Sequence, residues 1–152
     1  MVPGRGCLAA LQRSLPVVPL KAAFSSTIPV GAGLSSSAAI EVAFGLAWKA
    51  AGRWKLDGMS LAQLCLKAER EYVGLNCGLM AQCACLFGRE GNVLFFDTAA
   101  LSWEALPIPD GFSLVVADSG IRHSLTHSGY NERRSECEEA LALLQRVLDP
   151  VP

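Results

Sequence analysis

The run Pro29-Val30-Gly31-Ala32-Gly33-Leu34-Ser35-Ser36-Ser37 constrains this chain more than any other stretch. Turn formers and small hydroxyls stand directly ahead of an apolar run that reaches Ala51, the pattern of a glycine-rich loop opening a helix. That helix is expected from about Ser36 to Ala51, closed by Gly52. Gly31 and Gly33 let the backbone approach an anion, and the N–H groups of the helix start point at it. Three consecutive serines add hydroxyls for phosphate oxygens or Mg²⁺. The loop is not a Walker A sequence, because no Gly-Lys-Ser/Thr follows, and Ser36 stands where a dinucleotide fingerprint has its third glycine. A glycine turn with a serine N-cap satisfies the same pattern, so the residues leave both readings open.

The stretch from Leu34 to Ala51 is long enough to raise a membrane span, but it carries Ser35, Ser36, Ser37, Glu41 and Lys49. A buried core helix is expected instead, and no membrane. Across 152 residues, 13 Lys plus Arg stand against 14 Asp plus Glu, a net charge of -1, which provides no basic field for nucleic acid. Apolar residues make up 51% and charged residues 18%, which excludes disorder and implies either a well-packed interior or surface that expects covering. The chain is of single-domain size, enough to bury about 70% of its unfolded surface. The chain has six cysteines, and its N-terminal stretch, which contains Cys7, has no uninterrupted apolar segment, so a reducing cytoplasm and free thiols are expected.

Around this helix the pattern predicts further elements. Leu8 and Leu11 suggest a helix remnant over Gly6 to Arg13, and Lys21 to Thr27 reads as a strand before Pro29. Ser60 with Gln63 has the form of a capping box, after which Leu61, Leu64, Cys65, Ala68 and Tyr72 repeat at helical spacing until Gly74. Gly78 to Phe87 reads as a short apolar helix closed by Gly88, and Val93 to Asp97 as a buried strand. Pro107, Pro109 and Gly111 break the chain before a second apolar strand, Phe112 to Ala117, and mark a candidate domain boundary. From about Asn131, Cys137, Leu141, Leu144 and Leu148 define a long helix whose other face is charged.

Glu69 lies one step from Ala68, so its carboxylate can reach past the edge of the apolar face and serve Mg²⁺; a solvated surface glutamate is the alternative. Cys83 and Cys85 are two apart on a helix and cannot share one ion, so buried structural thiols are expected there and at Cys77. His123 and His127 are bracketed by Gly120 and Gly129, which argues for a loop with at most one histidine toward a ligand. Asp118, at the end of the second apolar strand, is equally a ligand contact or a turn former.

Taken together, the ordered segments have a family resemblance. PVGAGLSSSAA at Pro29 to Ala39 is similar to the phosphate-binding motif of the GHMP small-molecule kinases, and AEREYVGLNCGLM at Ala68 to Met80 resembles the segment that follows it in galactokinases. ADSGIRHSLTHSGYNERRSECEEA, from Ala117 to Ala140, resembles the galactokinase pattern with its Asp-Ser, His-Ser-Leu, Tyr and Arg-Arg. The resemblance covers nearly all of this chain and only the middle of a galactokinase.

It implies an α+β fold of the two-domain GHMP kinase architecture, here incomplete. Residues 1–20 would be a truncated leading segment, 21–110 part of the ATP-binding N-terminal domain, and 111–152 the beginning of the C-terminal one. It implies ATP-dependent phosphorylation of galactose at the anomeric hydroxyl. Gly31, Gly33, Leu34, Ser35, Ser36 and Ser37 would then bind the nucleotide, Ser36 and Glu69 would serve Mg²⁺, and Gly78 and Tyr130 would touch the sugar. The chain departs from the family where Cys-Gly-Leu-Met is followed by Ala81-Gln82, since galactokinases place Asp, the proposed catalytic base, at the Ala81 position. No other carboxylate is assigned in its place; Asp97 and Asp118 are unsupported candidates. Weak or absent activity follows as an expectation, with a complementing chain as a partner for uncovered surface. A non-catalytic nucleotide- or sugar-binding pseudokinase, or an interaction module, is the competing expectation.

Overall fold

The first helix, α1 (Ser36–Ala51), forms where the sequence places it and closes at Gly52, whose N–H bonds the carbonyl of Trp48 at 2.8 Å. The structure, a computed structural model, describes residues 15–120 and 129–148. The expected helix over Gly6 to Arg13, and His123 and His127, lie outside the described residues.

The second helix, α2 (Gly58–Ala68), starts ahead of the expected capping box. Asp57, not Ser60, is the N-cap: its carboxylate accepts the Ser60 N–H at 2.7 Å and the Ser60 hydroxyl at 2.9 Å. A carboxylate satisfies an orphan N–H and meets the positive end of the helix dipole, so it outcompetes a hydroxyl one turn on. The helix then widens into a π-helical turn, Glu69–Val73, whose last bond runs from Gly74 N to Glu69 O at 3.1 Å. Gly74, with φ of 80°, ends it in the left-handed region that glycine tolerates.

Helix α3 (Met80–Phe87) closes the group at Gly88, and α1, α2 and α3 pack on one another. Val42, Trp48, Trp54, Leu61, Cys65 and Ala68 form the larger core, and Ala62, Leu79 and Cys83 the smaller. Gly45 sets the approach of α1 to α2, since a Cβ there would lie 2.9 Å from Leu61 Cδ1.

Two strands, β1 (Asn92–Asp97) and β2 (Ser102–Pro107), pair as an antiparallel hairpin in the register Asn92 to Pro107 and Asp97 to Ser102. Leu94 and Phe96 face the smaller core while Val93 and Phe95 are exposed, the period of two expected of a half-buried strand. Trp103 stacks on Phe87 with ring centroids 4.9 Å apart, which seats the hairpin on α3. The strand predicted at Val93 to Asp97 is present as β1 but is half-buried, not buried, and the apolar pattern gives no sign of β2, which Glu104 and the terminal Pro107 disguise.

Two expected strands are absent. Lys21 to Thr27 and Phe112 to Ala117 have no ladder partner among the described residues, and both are exposed. Apolar β-branched composition favours an extended backbone, but a strand exists only with a neighbour to accept its hydrogen bonds. The last helix, α4 (Tyr130–Gln145), begins close to the predicted start but ends before Leu148, the last residue of the expected apolar pattern, and none of its residues is buried. With helices and a hairpin in sequence, the α+β expectation holds. No helix among the described residues is long and apolar enough to cross a membrane.

Candidate functional site

The loop before α1 has an unusual backbone. Gly31, Gly33 and Ser35 have φ of 73°, 77° and 55°, while Ala32 and Leu34 between them are not positive. Alternation of this kind is the backbone pattern found where successive N–H groups turn toward one side, as in anion-binding concavities. Ser35 occupies the N-cap position yet makes no side-chain capping bond, because its left-handed backbone carries the hydroxyl away. The helix start is therefore not satisfied by a serine cap, and its dipole faces the loop. Gly33 needs no space, since nothing lies within 4 Å of a Cβ built there; its requirement is the positive φ. Leu34 and Ser35 are exposed, Gly31, Ser36 and Ser37 half-buried.

Behind the loop lies Glu69, 3% exposed at the head of the π-helical turn. The widened turn carries Glu69 inward beside Ala68, and the surface-glutamate alternative falls. Its Oε1 accepts the Ser37 hydroxyl at 2.8 Å, and its Oε2 accepts Gln82 Nε2 at 2.8 Å and the Cys77 thiol at 3.2 Å. Donors from α1, from α3 and from the connecting loop thus converge on one carboxylate. Burial, followed by the adjacent Glu69 charge and the hydrogen bond to it, pushes the Cys77 thiol up to about 12, so it remains a donor.

It is Ser37, rather than Ser36, whose hydroxyl meets Glu69. A serine hydroxyl and a carboxylate beside the glycine-rich loop are hard oxygen donors, a set that suits Mg²⁺ with waters completing its shell. Gln82 escaped sequence reasoning because a glutamine in an apolar helix shows no periodicity of its own. Its position beside Ala81 is the one signal that could have found it. The five cysteines among the described residues are free: Cys65 and Cys83 are buried, whereas Cys77 is half-buried and Cys85 exposed against the expectation of buried thiols, and Cys137 is exposed. An α3 of this length has one face on the core, so Cys83 and Cys85, two apart, cannot both be inside.

Gly78 lies on the exposed loop between Gly74 and Leu79, and Tyr130 is the first residue of α4 and 45% exposed. The loop is held from two sides. Arg70 grips the Cys77 carbonyl through Nε at 2.9 Å and Nη2 at 2.6 Å, and Asn131 bonds both Gly74 and Asn76. Ala81 is the second residue of α3, half-buried, and offers only a methyl group. Asp97 spends its carboxylate on the N–H groups of Ala99 and Ala100, and Asp118 accepts the Gly120 N–H at 2.9 Å. That bond makes Asp118 a turn former in an extended segment, not the terminus of a strand.

Comparison with known proteins decides the family. Residues 4–89 match the model of the GHMP kinases N terminal domain. The chain belongs to the GHMP kinase family. It is 43% identical over 141 residues to a galactokinase of Chloroflexus aggregans, an alignment covering 93% of this chain and 36% of that protein. A galactokinase of Thermotoga maritima is 39% identical over 143 residues, covering 93% of this chain and 41% of its own length. Among solved structures, Lactococcus lactis galactokinase complexed with galactose superimposes with a TM-score of 0.78 at 27% identity, over 97% of this chain and 39% of the other. The chain thus spans about two fifths of the length of the galactokinases it resembles.

Proposed function

We propose that this chain carries the phosphate loop, the Mg²⁺ ligands and part of the sugar site for ATP-dependent phosphorylation of galactose at its anomeric hydroxyl, and that alone it is weak or inactive. The observation that supports this best is the junction of loop and carboxylate: the backbone of residues 31–35, with positive φ at Gly31, Gly33 and Ser35, runs into α1, and Ser37 joins Glu69 at 2.8 Å.

Phosphoryl transfer asks a protein chiefly for positioning and charge neutralisation. Backbone N–H groups of Gly31 to Ser37 and the serine hydroxyls would hold the nucleotide phosphates, with Leu34 beside them. Ser37, with Ser36 next to it, and Glu69 would hold Mg²⁺, which when bound neutralises phosphate charge. Gly78 and Tyr130 would orient the sugar so that its anomeric oxygen attacks the terminal phosphorus as the bond to the leaving diphosphate breaks. The hydroxyl proton must then leave, and the Ala81 methyl cannot accept it; loss of a general base costs about 10²–10⁴ in rate.

Residues 21–110 would belong to the nucleotide-binding domain and 111–152 to the start of a second, a reading supported by the end of the hairpin at Pro107 shortly before that division. A complementing polypeptide would cover the apolar residues of 112–117 and of α4. Galactose-dependent ADP formation tests the proposal: Ala81→Asp should raise turnover, by about 10²-fold or more, only when a polypeptide carrying the remaining portions of a galactokinase is also supplied. Ordinary turnover by the unaltered chain sinks the inactivity claim. A second reading, a non-catalytic binder of nucleotide or sugar, is favoured by Ala81 standing beside an intact loop and Glu69 cluster. Turnover separates the two, and calorimetry with MgATP and with galactose tests the second: a folded chain that is silent toward both ligands removes it.

A further inference from the structure

Asn131 is the first side chain after Tyr130, and it reaches across to a loop more than fifty residues earlier. Its Oδ1 accepts the N–H of Asn76 at 2.9 Å, and its Nδ2 donates to the carbonyl of Gly74 at 3.0 Å. One planar amide thus satisfies a donor and an acceptor two residues apart, as a neighbouring strand would. The rest of that loop is pinned by its own contacts. Gly74 N bonds Glu69 O at 3.1 Å, Cys77 N bonds Leu75 O at 2.8 Å, and Arg70 holds the Cys77 carbonyl. What these local bonds do not set is where the loop sits relative to α4.

We infer that Asn131 is a positioning residue: it registers the loop bearing Gly78 against the helix head bearing Tyr130, and so holds the two sugar contacts at a fixed separation. The inference rests on the proposed sugar roles of Gly78 and Tyr130. The chemistry demanded of residue 131 is specific. It must donate and accept at once from a short planar group, which Asn does. Asp accepts but presents a second oxygen to the Gly74 carbonyl, Ala does neither, and Gln places the same group one methylene too far. Because the amide is exposed and competes with water, the bonds contribute to register more than to overall stability.

Amide exchange at Asn76 and calorimetry with galactose and with MgATP, on the full chain and on Asn131→Ala and Asn131→Asp, test this. In Asn131→Ala the Asn76 amide should exchange about tenfold faster and galactose should bind about tenfold more weakly, with MgATP affinity unchanged. Asn131→Asp, which keeps the acceptor, should retain protection at Asn76 and lose part of the galactose affinity. An Asn76 amide that exchanges equally fast in the unaltered chain and in Asn131→Ala overturns the tether. Galactose affinity unchanged in Asn131→Ala, or an equal loss for MgATP, overturns the positioning role while leaving the proposed function standing. If the unaltered chain binds MgATP but no galactose, the sugar reading and the positioning role fall together, and the Asn76 amide still decides the tether.

Discussion

Glu69 is a buried carboxylate with three donors from three separate parts of the chain, so its surroundings are as constrained as any in the molecule. The Cys77 thiol is bound into this arrangement by its proton. A folded-state value raised from 9.0 to about 12 means that the native chain favours the thiol over the thiolate. The resulting stabilisation is fully present below pH 9 and is lost as the pH climbs from there toward 12. The nucleophile in alkylation is the thiolate, so Cys77 should react with iodoacetamide at pH 8 at least tenfold more slowly in the native chain than in urea. Mass mapping of the labelled peptide measures this, and equal labelling in both states would show that the bond to Glu69 does not hold the proton. At this scale the sequence showed which residues matter more readily than how they meet. Gly31, Gly33 and Ser37 were legible because turn chemistry and helix starts are local. The convergence of Cys77 and Gln82 on Glu69 was not, because it depends on how three helices cross.

Element boundaries reveal the same division. The bounds of α1 and the start of α4 were readable from apolar spacing and from Gly52, whereas α2 begins at Gly58 because Asp57 caps it. The hydrogen bonds from Ser60 hold the Asp57 carboxyl below its usual range. A depressed value makes the cap's contribution present above the unfolded value of 3.8 and lost as the pH falls through the lower folded value. Asp57→Asn keeps an acceptor for the Ser60 N–H and removes the titration, so the melting temperature of the variant should depend less on pH between 5 and about 2. Parallel pH profiles for the two chains would refute the cap. Between elements, Gly45 is the contact to probe. Its Cβ would lie 2.9 Å from Leu61 Cδ1, and Leu61 is fully buried, so its side chain would have to shift within a packed core. Gly45→Val should therefore destabilise the chain by about 1–3 kcal/mol in urea titration through overpacking, although valine is the better helix former of the two. A neutral or stabilised variant would mean that α1 and α2 are less tightly joined than this.

The whole molecule is unevenly packed, and that unevenness is where composition pointed from the start. Three helices and a hairpin bury a core, while Phe112, Leu114, Val115 and Val116 stand exposed in an extended segment, Val115 at 88%. Such side chains each forgo about 1.5–3 kcal/mol of burial, and the backbone between them has no ladder partner among the described residues. Leu141, Leu143 and Leu144 on α4 are likewise exposed. The expected strand at Phe112 to Ala117 was thus a sound reading of intrinsic preference, and it fails because pairing is a property of two segments. Hydrogen exchange on the full chain should therefore divide the molecule. Amides of residues 113–117 should exchange within about tenfold of unfolded-peptide rates, while those in the middle of α1 and α2 should be slowed by orders of magnitude. Adding a polypeptide that carries the remaining portions of a galactokinase should protect 113–117 if the segment is a strand awaiting its neighbour. Protection of 113–117 in the chain alone, at concentrations where it sediments as a monomer, would show that the segment already has a partner within this chain. Protection that grows with concentration would instead show that the exposed edge pairs with a second copy, which is the ordinary fate of an unpaired apolar strand.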